Sequence, residues 1–198
     1  MVQSVLELKI LYLSRNIIKM KSKKYLIFVF FVISNIQAQT KEIYNKKAIE
    51  KFELKDYKSA IDYFTKIIEI APKDSLVYLD RAMTKDLLKD YNGAIADFTK
   101  GLKNDSSNGD YYFLRGISEQ KAKKHKAAIE DFSKTLLIEK DNADAYYFRG
   151  KSKSELKDYK NAISDFDNAI KIRKDHNEAI AAKANVEKIL LKSSKTRI

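Results

Sequence analysis

From residue 41 onward, apolar and polar positions follow a pattern that returns every 34 residues. In the first unit, Tyr44 and Ala48 lie four positions apart. The same spacing returns in Ala60 and Phe64, after a polar break at Asp56. Apolar residues at this spacing are typical of one face of an amphipathic helix. Each unit is therefore predicted to be two helices joined by a short turn.

Four columns of the pattern are identical in all four units. They are Tyr44, Tyr78, Tyr112, Tyr146; Ala60, Ala94, Ala128, Ala162; Ile61, Ile95, Ile129, Ile163; and Phe64, Phe98, Phe132, Phe166. A period of about 34 residues is the length of a helix-turn-helix repeat unit. Such a unit completes its core only by stacking on its neighbours. The columns therefore predict a linear stack of helix pairs.

A second kind of column contains only small residues. On the first helix of each unit these are Ala48, Ala82, Gly116 and Gly150. Opposite them stands the invariant alanine column of the second helix. A larger side chain at either column would push the two helices apart. We therefore expect the helices of each pair to approach closely at this level.

An aspartate precedes the second helix in three of the four units. Asp56, Asp90 and Asp158 hold this position, whereas the third unit has Lys124. A short carboxylate here can accept hydrogen bonds from the free N–H groups of the first turn. The third unit is expected to have the weakest N-cap.

Two charged columns change together between the copies. Arginine on the first helix is followed 16 residues later by aspartate on the second, in Arg81 and Asp97, Arg115 and Asp131, and Arg149 and Asp165. The first unit has Lys47 and Tyr63 instead. We expect each arginine to pair with an aspartate, within a repeat or across to the next one. The recurrence favours a structural role over a ligand-binding one.

The run Tyr112-x-x-Arg115-Gly116, followed by Ala128-Ile129-x-x-Phe132, resembles the tetratricopeptide repeat. The resemblance implies an all-α fold, a right-handed α/α superhelix (solenoid). Its four units are residues 41–74, 75–108, 109–142 and 143–176. Residues 177–192 are expected to form a capping helix, and 193–198 a disordered tail. Where the family often has a tyrosine at the end of the first helix, this chain has Lys51, Lys85, Glu119 and Lys153.

In the family that the chain resembles, first helices line a concave groove that binds peptides or partner segments. The register assigns eight residues to this groove, in a first row of Asn45, Leu79, Phe113 and Tyr147 and a second row of Ile49, Met83, Ile117 and Lys151. The apolar members form either a binding stripe or additional core, packed between neighbouring helices or against a folded-back end of the same chain. The sequence alone leaves both alternatives open.

One subtype of the family holds acidic C-terminal tails with Lys, Arg and Asn at defined groove positions. The corresponding residues here lack that chemistry; they are Asn45, Ile49, Asp80, Asp110 and Leu114. An acidic C-terminal tail is therefore not the expected ligand.

The N-terminus has the layout of a secretory signal. Basic residues precede an apolar run at residues 25–36, and Ala38 follows at a suitable cleavage position. The run of about 12 residues is short of the roughly 20 that span a bilayer. Residues 1–38 are therefore interpreted as an extension and signal peptide, with Met20 as the hypothetical true start. Export to the bacterial periplasm, the cell envelope or the medium follows from this interpretation.

Catalytic chemistry has little support in the sequence. There is no cysteine, and the two histidines, His125 and His176, are expected to be structural. No phosphate-binding loop, metal-ligand spacing or nucleophile–base pair is present, so no catalytic residue, metal or cofactor is predicted. The net charge of +12 is read as a solvated lysine-rich surface and not as nucleic-acid binding.

The predicted function is an exported, non-enzymatic adaptor that binds a protein or peptide. The alternative is a membrane-anchored repeat protein with an uncleaved signal, acting as an accessory subunit of an envelope complex or enzyme.

Overall fold

A computed structural model describes residues 23–195 of the chain, and every regular element within that range is an α-helix. The nine helices are α1 Lys23–Glu53, α2 Tyr57–Ile70, α3 Ser75–Leu87, α4 Tyr91–Asn104, α5 Gly109–Lys121, α6 His125–Ile138, α7 Ala143–Glu155, α8 Tyr159–Ile172 and α9 Asn177–Lys195. The most extensive contacts join α1 to α2, α3 to α4, α5 to α6 and α7 to α8. The predicted all-α stack of helix pairs is thus confirmed for this range.

The small columns allow close helix approach, as the sequence predicts. A Cβ atom added to Gly116 would lie 2.9 Å from Cε1 of Phe132, and one added to Gly150 would lie 2.8 Å from Cε1 of Phe166. Ala48 and Ala82 are fully buried at the equivalent positions. The invariant phenylalanine of each second helix therefore packs directly on the small residue of the first.

Each first helix ends in a turn that contains a lysine in the left-handed conformation. Its φ angles are 59° at Lys55, 62° at Lys89, 60° at Lys123 and 63° at Lys157. In the second repeat, the N–H of Asp90 donates to the carbonyl of Lys85, and that of Lys89 to Asp86, each at 2.9 Å. This pair of bonds defines a Schellman motif, in which glycine usually occupies the left-handed position.

Replacing Lys89 with glycine is expected to stabilise the protein by up to about 1 kcal/mol, because glycine has no Cβ to strain in the left-handed region. The matched control is Lys100→Gly in the middle of α4, which should destabilise by about 1 kcal/mol. Urea denaturation measures both changes. Two losses of equal size would contradict the strain argument.

The N-cap prediction is confirmed at three positions and wrong at one. Asp56 accepts from the backbone N–H of Ser59, Asp90 accepts from that of Gly93, and Lys124 makes no side-chain cap bond. Asp158 also makes none. Its carboxylate oxygens accept instead from Nδ2 of Asn161, at 2.9 and 3.0 Å. The Asp158 side chain thus bonds the Asn161 amide and not the backbone of the first turn.

The arginine and aspartate columns pair within each repeat through two hydrogen bonds. Arg81 donates from Nε and Nη2 to the two carboxylate oxygens of Asp97, at 2.8 and 2.7 Å. Arg115 and Asp131 make the same pair, as do Arg149 and Asp165. The predicted pairing is confirmed, and its bidentate geometry is the stronger kind of charged hydrogen bond.

The same arginines also bond across to the preceding repeat. Their Nη1 atoms donate to a hydroxyl on the preceding second helix, in Arg81 to Thr65, Arg115 to Thr99 and Arg149 to Ser133. In the C-terminal helix, Lys183 occupies the arginine column and donates to Asp167 at 2.7 Å. The guanidinium group therefore joins neighbouring repeats as well as the two helices of one repeat.

The third repeat differs from its neighbours at the position four residues after the paired arginine, one helical turn later. Lys85 and Lys153 add a second cation to the aspartates of their repeats, at 2.7 and 2.6 Å. The third repeat has Glu119 at this position. Glu119 is 8% exposed, and burial together with the Asp131 charge raises its pKa to about 7. The third repeat thus buries an additional carboxyl where the others place an ammonium group.

Helix α1 is longer than the sequence predicts. It begins at Lys23, among the basic residues that precede the apolar run 25–36, and continues to Glu53. No break separates the apolar run from the first repeat. Residues 37–41 contain no glycine or proline that would end a helix. The hypothetical start at Met20 lies outside the described residues, and cleavage after Ala38 stays a prediction. None of the helices within residues 23–195 is both long enough and apolar enough to cross a membrane.

Helix α9 covers the end of the stack. Its Ala179 and Val186 are buried in one cluster with Phe166 and Ala169 of α8. The helix continues to Lys195, and so includes residues 193–195, for which the sequence predicts a disordered tail. Residues 196–198 lie outside the described range.

Candidate partner-binding surface

The first helices that carry the candidate surface are capped by a column that the sequence reasoning missed. Asp74 accepts from the N–H of Leu76, Asn108 from that of Asp110, and Asn142 from that of Ala145. These three residues also recur at the 34-residue period, which is the signal that would have revealed them. The caps fix where α3, α5 and α7 begin, and so which residues each helix presents.

The first row contributes mainly to packing, both within repeats and between them. The ring of Phe113 lies 5.9 Å from that of Phe132 and 5.8 Å from that of Phe148, in edge-on arrangements. The ring centroid of Tyr147 lies 5.0 Å from that of Phe148 and 5.1 Å from that of His176. Leu79 packs against a buried core cluster, and Asn45 is half-buried. These side chains present only part of their surface to a ligand.

The second row is more open to solvent. Ile49 and Met83 are 46% and 43% exposed, Ile117 is half-buried, and Lys151 is exposed. Apolar side chains exposed next to one another are characteristic of interaction surfaces. The two rows thus differ in their surroundings, although both were assigned to the same groove.

Two hollows separate the second-row residues of consecutive first helices. The hollow between α1 and α3, called the first hollow below, has a volume of about 260 Å³ and is lined by Ile49, Phe52, Phe64, Asp80, Met83 and Thr84. The hollow between α3 and α5, called the second hollow, has about 410 Å³ and is lined by Phe52, Met83, Asp86, Leu87, Phe98, Leu114, Ile117, Ser118 and Lys121. Met83 lies in the wall that the two hollows share.

The two hollows differ in charge. In the second, Asp86 accepts from Oγ of Ser118 at 2.9 Å and also pairs with Lys121, so its charge is balanced. In the first, Asp80 is the only charged residue of the lining. Asp80 is exposed to solvent, yet partial desolvation by these groups raises its pKa, and the charge of Asp74 raises it further.

A third, polar hollow of about 590 Å³ lies where α7 meets the turn before α9. His176 is 3% exposed there. Its Nδ1 lies 3.1 Å from Oε2 of Glu178, and its Nε2 lies 3.3 Å from Oδ1 of Asp144. Arg173 also donates to Asp144. Within the described range, these residues and all others form no group of three or more ligands that could hold a metal ion.

Comparison with protein families identifies the repeat type. Residues 41–74 and 143–176 match the family model described as Tetratricopeptide repeat. The prediction of tetratricopeptide repeats is thereby confirmed for the first and fourth units. No curated protein matches the sequence.

Solved structures share the architecture. The crystal structure of the MamA protein is 21% identical to this chain and superposes with a TM-score of 0.73; the match covers 76% of this chain and 82% of the MamA chain. A tetratricopeptide repeat protein from Parabacteroides merdae has 18% identity and a TM-score of 0.73, covering 78% and 61%. The first TPR of Spaghetti (RPAP3), bound to the HSP90 peptide SRMEEVD, has 21% identity and a TM-score of 0.58, covering 59% and 93%. At these identities the likeness shows the solenoid fold alone.

Proposed function

We propose that the protein, whose first and fourth units match the tetratricopeptide repeat, is a non-enzymatic adaptor that holds an extended or helical segment of another protein. The observation that carries the proposal is the pair of hollows on either side of Met83. They lie between first helices, they are walled mainly by apolar side chains, and the Ile49 and Met83 side chains beside them stay exposed. Pockets that take successive apolar side chains suit an amphipathic helix or an extended peptide.

The structural neighbour with a bound peptide helps to define the ligand by contrast. The peptide in the Spaghetti structure, SRMEEVD, is acidic at its C-terminal end. The first hollow of this chain offers Asp80, and Asp110 is exposed on the next first helix. Carboxylates at these positions repel an acidic tail. The proposed ligand is therefore a segment that is bound through apolar side chains and not through its terminal carboxylate.

Replacing Met83 with lysine is expected to reduce partner capture at least about tenfold, because one charged side chain enters the wall of both hollows. The substitution should leave the fold intact, since Met83 is already 43% exposed. The matched control is Ala96→Lys, an exposed residue on the second helix of the same repeat. Affinity purification from cell-envelope extract compares the variants, and circular dichroism checks their folding. Equal capture by both variants would exclude this surface.

Export is the second part of the proposal, and it rests on the basic and apolar layout of the N-terminal residues. Cell fractionation followed by N-terminal sequencing tests it. Soluble mature protein that begins near Gln39 supports an exported adaptor. A full-length chain in the membrane fraction supports instead the anchored accessory subunit, in which the exposed Phe28, Phe30 and Phe31 of α1 would contact lipid.

A further inference from the structure

The first hollow combines apolar walls with one carboxylate, and this combination identifies a ligand group. Ile49, Phe52 and Met83 supply apolar surface, and Asp80 supplies the only charge in the lining. Lysine and arginine have apolar stems and cationic ends, and they bury the stem while the charge remains at a polar site. We propose that this hollow binds a lysine or arginine side chain of the partner protein, with its stem on the apolar wall and its cation on Asp80.

Asp80 is not needed by the repeat itself. The equivalent positions in the other repeats hold chemically different residues, namely Lys46, Leu114 and Phe148. Its carboxylate has no hydrogen-bond or ion-pair partner among residues 23–195. The two nearby aspartates of the same helix region are engaged, Asp74 by Lys41 and Asp86 by Ser118 and Lys121. Asp80 is therefore available to a ligand.

The electrostatics of the hollow favour a cation over a neutral group. Asp80 remains exposed to solvent, but the apolar side chains around it partly desolvate its carboxylate and raise its pKa, because low-polarity surroundings disfavour the charged form. A cation beside the carboxylate offsets this cost. The full sequence carries a net charge of +12 and stays cationic without residues 1–38, so the protein attracts anionic ligands at long range. A preference for a cationic ligand would therefore have to come from the local carboxylate.

The inference rests on the proposed adaptor function and adds the chemistry of the partner. It can be tested with three synthetic helical peptides that share the same leucine positions and carry lysine, glutamine or glutamate at the polar positions. Fluorescence anisotropy measures their affinities for the full chain, for Asp80→Asn and for the control Asp62→Asn. Asp62 is an exposed carboxylate on α2 of the first repeat.

The lysine peptide is expected to bind the wild-type chain most tightly. Asp80→Asn should weaken it about tenfold while leaving the glutamine peptide nearly unchanged, and Asp62→Asn should change neither. Isotope labelling of methionine methyl groups locates the bound peptide, because Met83 is the only methionine within residues 23–195. The Met83 methyl signal is assigned as the one that is absent from the spectrum of Met83→Leu. This signal should shift when the lysine peptide is added.

Several outcomes would overturn the inference. Tightest binding of the glutamate peptide would show that overall charge governs association, and a lysine preference that survives Asp80→Asn would place the cation elsewhere. Self-association abolished by Asp80→Asn, measured by sedimentation of the protein alone, would make a second copy the occupant. If none of the peptides binds while Met83→Lys still abolishes natural capture, the cationic inference fails and the adaptor function stands. If Met83→Lys leaves capture unchanged, the adaptor surface itself is excluded.

Discussion

Replacing Arg115 with methionine is expected to destabilise the protein by about 3 kcal/mol or more, the largest loss among the three equivalent arginines. The substitution leaves Asp131 buried without the guanidinium that donates two hydrogen bonds to it. Removing one partner of a buried ion pair typically costs about 3 to 5 kcal/mol. In this repeat Glu119 takes the place of the second lysine, and its negative charge repels that of Asp131. No second cation therefore compensates for the lost guanidinium.

The other two repeats supply matched controls within the same chain. Arg81→Met and Arg149→Met should cost about half as much, because Lys85 and Lys153 remain bonded to the aspartates of their repeats. Urea denaturation of the three single variants measures the difference. The double variant Arg115→Met with Asp131→Leu should recover most of the loss, since it removes both buried charges. Equal losses at all three arginines would contradict the role assigned to the lysines.

The helix pairs could be predicted from the sequence because their positions are repeated four times. An alanine or phenylalanine column that never changes reports a contact that every repeat must make, and Gly116 on Phe132 is such a contact. The Arg115–Asp131 pair could be predicted for a related reason, since its two columns change together. The hydroxyl column of Thr65, Thr99 and Ser133 was missed because Ser and Thr resemble ordinary surface residues until their arginine partners are in place.

The candidate surface was less predictable than the fold. The periodicity placed Phe113 and Met83 in adjacent rows of one groove, but it could not show how far each helix is rotated against its neighbour. In the structure that rotation directs Phe113 toward Phe132 and Phe148 and leaves Met83 exposed between the two hollows. Helix register therefore predicts which side of the stack a residue occupies, whereas exposure depends on packing between repeats.

The third repeat is expected to become less stable as the pH rises, because of Glu119. Burial raises the pKa of this carboxyl from 4.5 to about 7 in the folded protein. Between these two values the folded state holds a proton that the unfolded state has released, so stability falls as pH increases through this window. Above it, the ionised carboxylate lies beside Asp131, and its Oε2 atom has no hydrogen-bond partner within residues 23–195.

Glu119→Lys is therefore expected to stabilise the protein by about 2 to 3 kcal/mol near pH 8. The gain should be much smaller near pH 4.5, where Glu119 is protonated in the folded state and still about half protonated in the unfolded state. The new ammonium group should bond Asp131 as Lys85 bonds Asp97. Glu119→Gln removes the charge without adding that bond, and should give a smaller gain with the same pH dependence. The measurement is the free energy of unfolding in urea across this pH range, compared with wild type. Aspartates with lowered pKa values, such as Asp97, lose their contribution only at lower pH and cancel in the difference. A wild-type-to-Gln difference that stays flat between these pH values would show that Glu119 is ionised in the fold at no cost.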